Sequence, residues 1–187
     1  MFGWLASFGV HARHRSASTI RWLAVSPRTL VEGLGQLGGV LYLAPRPVTC
    51  PAGAPVPVGC LVESADLAPL LATRHVGLTC AVTAEGPREW IDCVSADGDT
   101  LARIYLLPDT DYLAWDGLFA DAIVVDAPSR RVPDRAWLRA CRARVLSFQR
   151  RRLVGFDVLG AQDVRISSLG RGVARDIAVS ESVAITV

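Results

Sequence analysis

The sequence predicts an α+β fold with antiparallel strands, and two observations support that prediction. Two β-like runs, residues 89–95 and 100–107, are separated by ADGD at 96–99, a turn signal that is typical of a β-hairpin. Ser26 and Pro27 precede RTLVEGLGQLGG, which reads as an N-cap, a proline at the first helical position, a short helix and a glycine stop. Strand pairing and separate helices are therefore both expected.

The remaining elements of the first half are predicted in chain order. Residues 1–20 are expected to form a mobile arm, and VLYLA at 40–44 is a buried strand. Five prolines and two glycines make 45–59 a surface loop, and 66–73 forms one or two helical turns around a proline. VGLTCAVT at 76–83 is rich in branched residues and is predicted to be a strand.

A second helix is predicted in DTDYLAWDGLFADA, where Tyr112, Trp115 and Phe119 recur at helical spacing. Asp109 or Asp111 stands where an N-cap or first-turn carboxylate belongs, accepting bonds from free backbone N–H groups. A metal site is the alternative interpretation. However, a calcium loop starting at Asp109 lacks the glycine and glutamate it requires at positions six and twelve. We therefore expect these acids to start a helix.

The segment RAWLRACRARVLSFQRRRL, behind Pro133 and Asp134, is predicted to be the best-defined helix of the chain. Its apolar stripe has arginines on the other faces and consists of Leu138, Cys141, Val145 and Phe148. Two interpretations stay open: a solvated face whose arginine stems cover apolar surface, or an anion site for carboxylates or phosphates. The tail from Gly155 is expected to be rich in strands.

Composition limits the class of protein. A chain of 187 residues with 51% hydrophobic and 20% charged residues fits one domain, 1–187, with a sizeable core, and no window is apolar enough to span a bilayer. All 20 basic residues are arginine, yet the net charge of +2 argues against a general nucleic-acid binder. The N-terminal segment places its basic residues after its apolar ones, the reverse of an export signal, which favours a cytoplasmic protein.

Few residues qualify as chemical candidates. His75 is either a hydrogen-bonded core histidine or a ligand, and Cys50, which precedes a proline, is a weaker candidate for an axial thiolate. The five cysteines lack CxxC spacing and are expected to be reduced. The glycines at 33, 35 and 38 match GxGxxG, but a helix precedes them and a strand follows, the reverse of a nucleotide site. No nucleophile pattern accompanies the histidines.

Three patches together resemble the bacterial cytoplasmic haemin-transport and haem-utilisation family. IDCVSADGDTLARIYLLPDTDYLAWDGLFADA is similar to its strand–turn–strand–helix module, through positions that include Asp97, Gly98, Tyr105 and Asp111. WLAVSPRTLVEGL resembles its early helix start, and RAWLRACRARVLSFQRRRL lies where the family has a helix that runs into a basic segment.

The resemblance implies an α+β half-module, an antiparallel β-sheet flanked by helices, that carries haem in the cytoplasm without catalysis. A module of this size implies a homodimer. The family's axial histidine is missing and Ala102-Arg103 replaces its His-Lys pair, so the predicted haem ligands are His75 and Cys50. Arg144 and the run of Arg150, Arg151 and Arg152 are predicted to pair with propionates. The alternative is a protein-interaction module whose arginine-rich helix contacts an acidic partner.

Overall fold

A computed structural model of the chain describes residues 18–46, 59–129 and 135–186, and within them ten strands form one sheet. The strands are β1 (Ser18–Ala24), β2 (Gly38–Pro45), β3 (Cys60–Val62), β4 (His75–Thr83), β5 (Gly86–Val94), β6 (Thr100–Thr110), β7 (Ile123–Val124), β8 (Cys141–Leu153), β9 (Phe156–Asp163) and β10 (Ala184–Thr186). The helices are α1 (Pro27–Leu34), α2 (Ala68–Leu71), α3 (Tyr112–Gly117), α4 (Arg135–Ala140) and α5 (Ser168–Ser180), with a 3₁₀ turn over Ala65–Leu67.

The order of strands is β3-β9-β8-β2-β6-β5-β4-β1-β7, and β10 joins the side of β8. Neighbours are antiparallel except for the pairs β3–β9 and β10–β8. The predicted class, an antiparallel sheet flanked by helices, is confirmed.

The structures indicated by residues close together in sequence were predicted correctly. β5 and β6 pair antiparallel across the expected turn, with Ile91 opposite Ile104. Ser26 caps α1, since its hydroxyl accepts a bond from the N–H of Thr29 at 3.1 Å. Such caps form between residues a few positions apart, so tertiary contacts are not needed to specify them.

Helices cover both faces of the sheet, and each face has its own core. On the first face, α1, α2 and α3 pack on alternate residues of the strands, such as Tyr42, Ile104 and Phe148. On the second face, α5 packs on the residues between them, such as Leu41 and Val145. The central strands are therefore buried on both sides.

The long predicted helix is wrong beyond its first turns. α4 ends at Ala140, and Cys141–Leu153 is the strand β8, which lies between β2 and β9. Arg, Ala and Leu favour helices in isolation, but burial between two helical layers decides the outcome here. There is accordingly no arginine-rich helix over residues 141–153; those arginines lie on a strand.

Two further expectations need correction. Residues 18–20 of the predicted arm belong to β1 and pair with β4, whereas 1–17 lie outside the described residues. The tail contains β9 and β10 as predicted, but Ser168–Ser180 forms α5. Most of the predicted loop, residues 47–58, also lies outside the described residues.

Candidate functional site

The arginines of β8 divide between the faces of the sheet because side chains alternate along a strand. Arg144 lies opposite Tyr42 of β2 and shares the first face with it, and Arg142 lies two residues away on the same face. Arg151 points to the second face. Arg142 and Arg144 therefore lie together, and Arg151 lies apart from them.

Arg142 and Arg144 border a notch at the end of β2, which we call the guanidinium notch; it is lined by Tyr42, Ala44, Pro45, Arg46, Asp66, Arg142 and Arg144. Asp66 is its central carboxylate and pairs with Arg46 and with Arg144, at 3.3 Å from Arg144 Nη1 to Asp66 Oδ2. The hydroxyl of Tyr42 donates to the backbone carbonyl of Asp66 at 3.1 Å. Burial raises the pKa of Tyr42 well above its ordinary value, so this hydroxyl stays a neutral donor.

The guanidinium notch holds more positive than negative charge. Its three arginines face Asp66 and, through Arg144 Nη2 at 2.9 Å, the carboxylate of Asp163. The side chain of Asp163 is 75% exposed, so water screens it strongly. Within the described residues the exposed side chain of Arg142 has no ion pair. An incoming carboxylate thus finds an unpaired guanidinium beside two that share one partner.

The other predicted cations are engaged differently. Arg150 holds Asp157 through its Nε at 2.9 Å and also pairs with Glu32 at 3.1 Å. The hydrogen bond from Arg150 lowers the pKa of Asp157 below its ordinary value, against the opposing effect of burial. Arg151 pairs with Glu63 at 3.2 Å.

Arg152 is exposed and has no ion pair among the described residues. It lies near the far end of β8, eight residues along the strand from Arg144. Of the predicted arginines, only Arg144 lies in the guanidinium notch.

His75 begins β4, which is separated from β8 by β5, β6 and β2. Four strand spacings put it roughly 19 Å from the line of β8. An axial histidine normally binds a second group through its other ring nitrogen, whereas the Nδ1 of His75 is buried without a hydrogen-bond partner. The described residues therefore do not fit a haem that is ligated by His75 and paired with Arg144. Cys50 lies outside the described residues.

Sequence reasoning missed a buried charged cluster on the second face. Arg103 of β6 donates from Nε to Asp92 Oδ1 at 2.7 Å and from Nη1 to Glu181 Oε1 at 2.8 Å. Its guanidinium lies 5.3 Å from the centre of the Trp90 ring, and the hydroxyl of Tyr105 donates to Glu181. Burial acts to lower the pKa of Arg103 and is the largest single effect, but Asp92, Tyr105 and Glu181 together outweigh it, so the pKa is raised and the group stays charged.

The two acids at the end of β6, one inside the strand and one just after it, serve two helices. Asp111 caps α3, accepting from the N–H of Ala114 at 3.0 Å, as predicted. Asp109 instead accepts the N–H of Ser167 at 2.7 Å, at the start of α5. Among the described residues, no group of three or more His, Cys, Asp or Glu side chains is placed to hold a metal ion.

None of the helices in the described ranges combines the length and apolar character that a membrane crossing requires.

Comparisons with known proteins give structural similarities only, because neither a family model nor a curated protein matches the chain. The heme-degrading enzyme ChuS of Escherichia coli O157:H7 is similar over 64% of this chain, with 17% identity and a TM-score of 0.41. Holo-PhuS, a heme-binding protein from Pseudomonas aeruginosa, is similar over 60%, with 20% identity and a TM-score of 0.40. The chain spans 40% and 36% of the lengths of these two structures.

Both neighbours carry haem-related names, as the sequence resemblance led us to expect. At this level of similarity, the function of this chain has to be inferred from its own side chains.

Proposed function

We propose that this chain binds a planar, carboxylate-bearing ligand of the haem class, without catalysing a reaction on it, and that the guanidinium notch recognises the carboxylates. The observation that carries the proposal is the guanidinium of Arg142, which has no ion pair within the described residues and lies beside Arg46 and Arg144, which share Asp66. A guanidinium fork matches a carboxylate with two parallel N–H donors. The space inside the notch is only about 10 Å³, so two propionates would pair with the guanidinium groups at its rim.

Apolar surface for the ring adjoins the guanidinium notch. α4 meets the end of β2, where the N–H of Arg46 donates to the carbonyl of Ala140 at 2.8 Å. Trp137 and Leu138 of this helix are half-buried, so a ring that covers them removes apolar area from water. Carboxylate pairing and ring burial then act at neighbouring positions.

Within the described residues, His75 is not expected to anchor the iron of a ligand bound at the guanidinium notch, because it is four strands away and no described group bonds to its Nδ1. Cys50 and His75 stay predicted ligands, and Arg150, Arg151 and Arg152 stay predicted cations at the far end of β8. Haem trafficking in the cytoplasm and a homodimeric state, which the resemblance implies, are part of the proposal.

The test is a pair of absorption titrations, one with haemin and one with iron-free protoporphyrin. We expect both to bind saturably and with similar affinity, since the carboxylates are common to both. The double variant Arg142→Ala/Arg144→Ala is expected to weaken both by roughly 10- to 100-fold, as lost charge-assisted hydrogen bonds imply. Circular dichroism checks that the variant is folded.

The control is Arg175→Ala on α5, which removes an arginine that is exposed and has no ion pair among the described residues, on the other face of the sheet. It should bind like the wild type. Wild-type affinity in the double variant contradicts the proposal, and so does saturable binding of haemin alone, which would assign recognition to the iron.

A further inference from the structure

The turn between β8 and β9 has at its first position a residue, valine, that β-hairpins seldom use there. Leu153 and Phe156 form the last pair of the ladder, which leaves Val154 and Gly155 as a two-residue turn with φ of 46° and 84°. Positive φ at both positions is the signature of a type I′ turn, for which Asn-Gly is favoured. A branched residue such as valine is an outlier in this region. Residues held in strained backbone conformations of this kind cluster at functional sites.

This hairpin tip, defined as Leu153, Val154, Gly155 and Phe156, is apolar and exposed. Val154 is 90% exposed, the largest value among the exposed large hydrophobic side chains of the described residues, and Leu153 is 60% exposed. Contact with water does not stabilise an exposed apolar side chain, so a cluster of such side chains indicates a surface that binds an apolar partner.

The hairpin tip also projects beyond its neighbours. On one side, β2 pairs with β8 only as far as Ser147, and on the other, β3 pairs with β9 only from Asp157 onwards. No heavy atom lies within 4 Å of the position that a Cβ at Gly155 would occupy. Among the described residues the hairpin tip therefore extends past the adjoining strands, which suits insertion into a fluid layer.

Arginines precede the hairpin tip on β8. Arg152 is exposed without an ion pair among the described residues, and the side chain of Arg151 is 66% exposed although it contacts Glu63. Arginines with long apolar stems suit the level of lipid headgroups when neighbouring apolar residues enter the acyl region.

We propose that the hairpin tip inserts into the surface of an anionic lipid bilayer, with Arg151 and Arg152 at the level of the phosphates. The charge of the arginines selects an anionic surface, and the apolar tip supplies the insertion. This surface is distinct from the guanidinium notch, so membrane attachment and ligand binding are separable.

The test is flotation of the protein with phosphatidylcholine vesicles that contain phosphatidylserine, compared with vesicles of phosphatidylcholine alone. The wild type should float with the anionic vesicles and much less with the neutral ones. Val154→Asn should reduce binding at least ~10-fold, while the favoured Asn-Gly turn keeps or raises stability. Arg152→Gln should weaken binding to the anionic vesicles, and the binding that remains should depend less on salt concentration.

The matched control is Val179→Asn, which makes the same chemical change at a side chain that is 79% exposed on α5. It should float like the wild type. Equal flotation of Val154→Asn and the wild type overturns the proposal, as does failure of the wild type to bind anionic vesicles. A wild-type dimer in gel filtration that Val154→Asn converts to a monomer also overturns it, since a second copy then covers the hairpin tip.

Discussion

The buried cluster around Arg103 and the guanidinium notch lie on opposite faces of the sheet, and they differ in how the charge of their arginines is balanced. In the buried cluster, Arg103 alone meets the carboxylates of Asp92 and Glu181. In the guanidinium notch, Arg46 and Arg144 share Asp66, Arg144 also pairs with the exposed Asp163, and Arg142 has no ion pair within the described residues. Arg103 is only 8% exposed, whereas Arg142 is exposed. The same type of side chain thus stabilises the fold on one face and, in the proposed function, binds a ligand on the other.

The largest effect is expected from Arg103→Met. Removing this cation breaks its ion pair with Asp92, which is 1% exposed, and breaking a buried pair by removing one partner typically costs about 3–5 kcal/mol. Arg144→Met, the matched change in the guanidinium notch, removes partly solvated pairs and should cost at most ~1 kcal/mol. Urea unfolding measures both variants. Equal losses would show that the two groups do not differ as described.

A smaller effect on stability is expected at Asp157. Its ion pair is intermediate between the buried cluster and the guanidinium notch, because its partner Arg150 stays partly solvated. The pKa of Asp157 is lowered in the folded state from an ordinary value of 3.8. Its ionised form therefore stabilises the fold above that value, and this contribution is lost as the pH falls through the lower folded pKa. Unfolding followed between neutral and acidic pH should show a shallower loss of stability for Asp157→Asn. An unchanged acid profile in this variant counts against the ion pair with Arg150.

The elements that were predicted correctly depend on residues close in sequence. The turn between β5 and β6, the cap at Ser26 and the cap at Asp111 each use neighbours within a few positions. The helix predicted over β8 is wrong because Val145 and Phe148 have helical spacing and yet are buried on the two different faces of a strand.

α5 was missed for a related reason. Its glycines and valines are poor helix formers, and its start is specified from a distance. Asp109 binds Ser167, and a Cβ at Gly170 would lie 2.0 Å from Asp109 Oδ2. A larger residue at position 170 would therefore displace this carboxylate from its present position.

The candidate site was only partly predictable. Arg144 was chosen for its place in an arginine-rich segment, but Arg46 and Asp66 come from distant segments that only the pairing of β2 with β8 brings together. Arg150 belonged to the same segment, yet Asp157 and Glu32 engage it. Sequence shows where arginines are abundant, whereas their carboxylate partners are set by topology.

The most direct test of carboxylate recognition compares protoporphyrin with its dimethyl ester, in which the ring is the same and both carboxylates are blocked. Binding is followed by quenching of tryptophan fluorescence, in a detergent concentration that keeps both compounds monomeric. If the guanidinium notch recognises carboxylates, the free acid binds saturably, the ester does not, and Arg142→Ala/Arg144→Ala abolishes the difference between them. Equal binding of acid and ester to the wild-type protein would contradict the account.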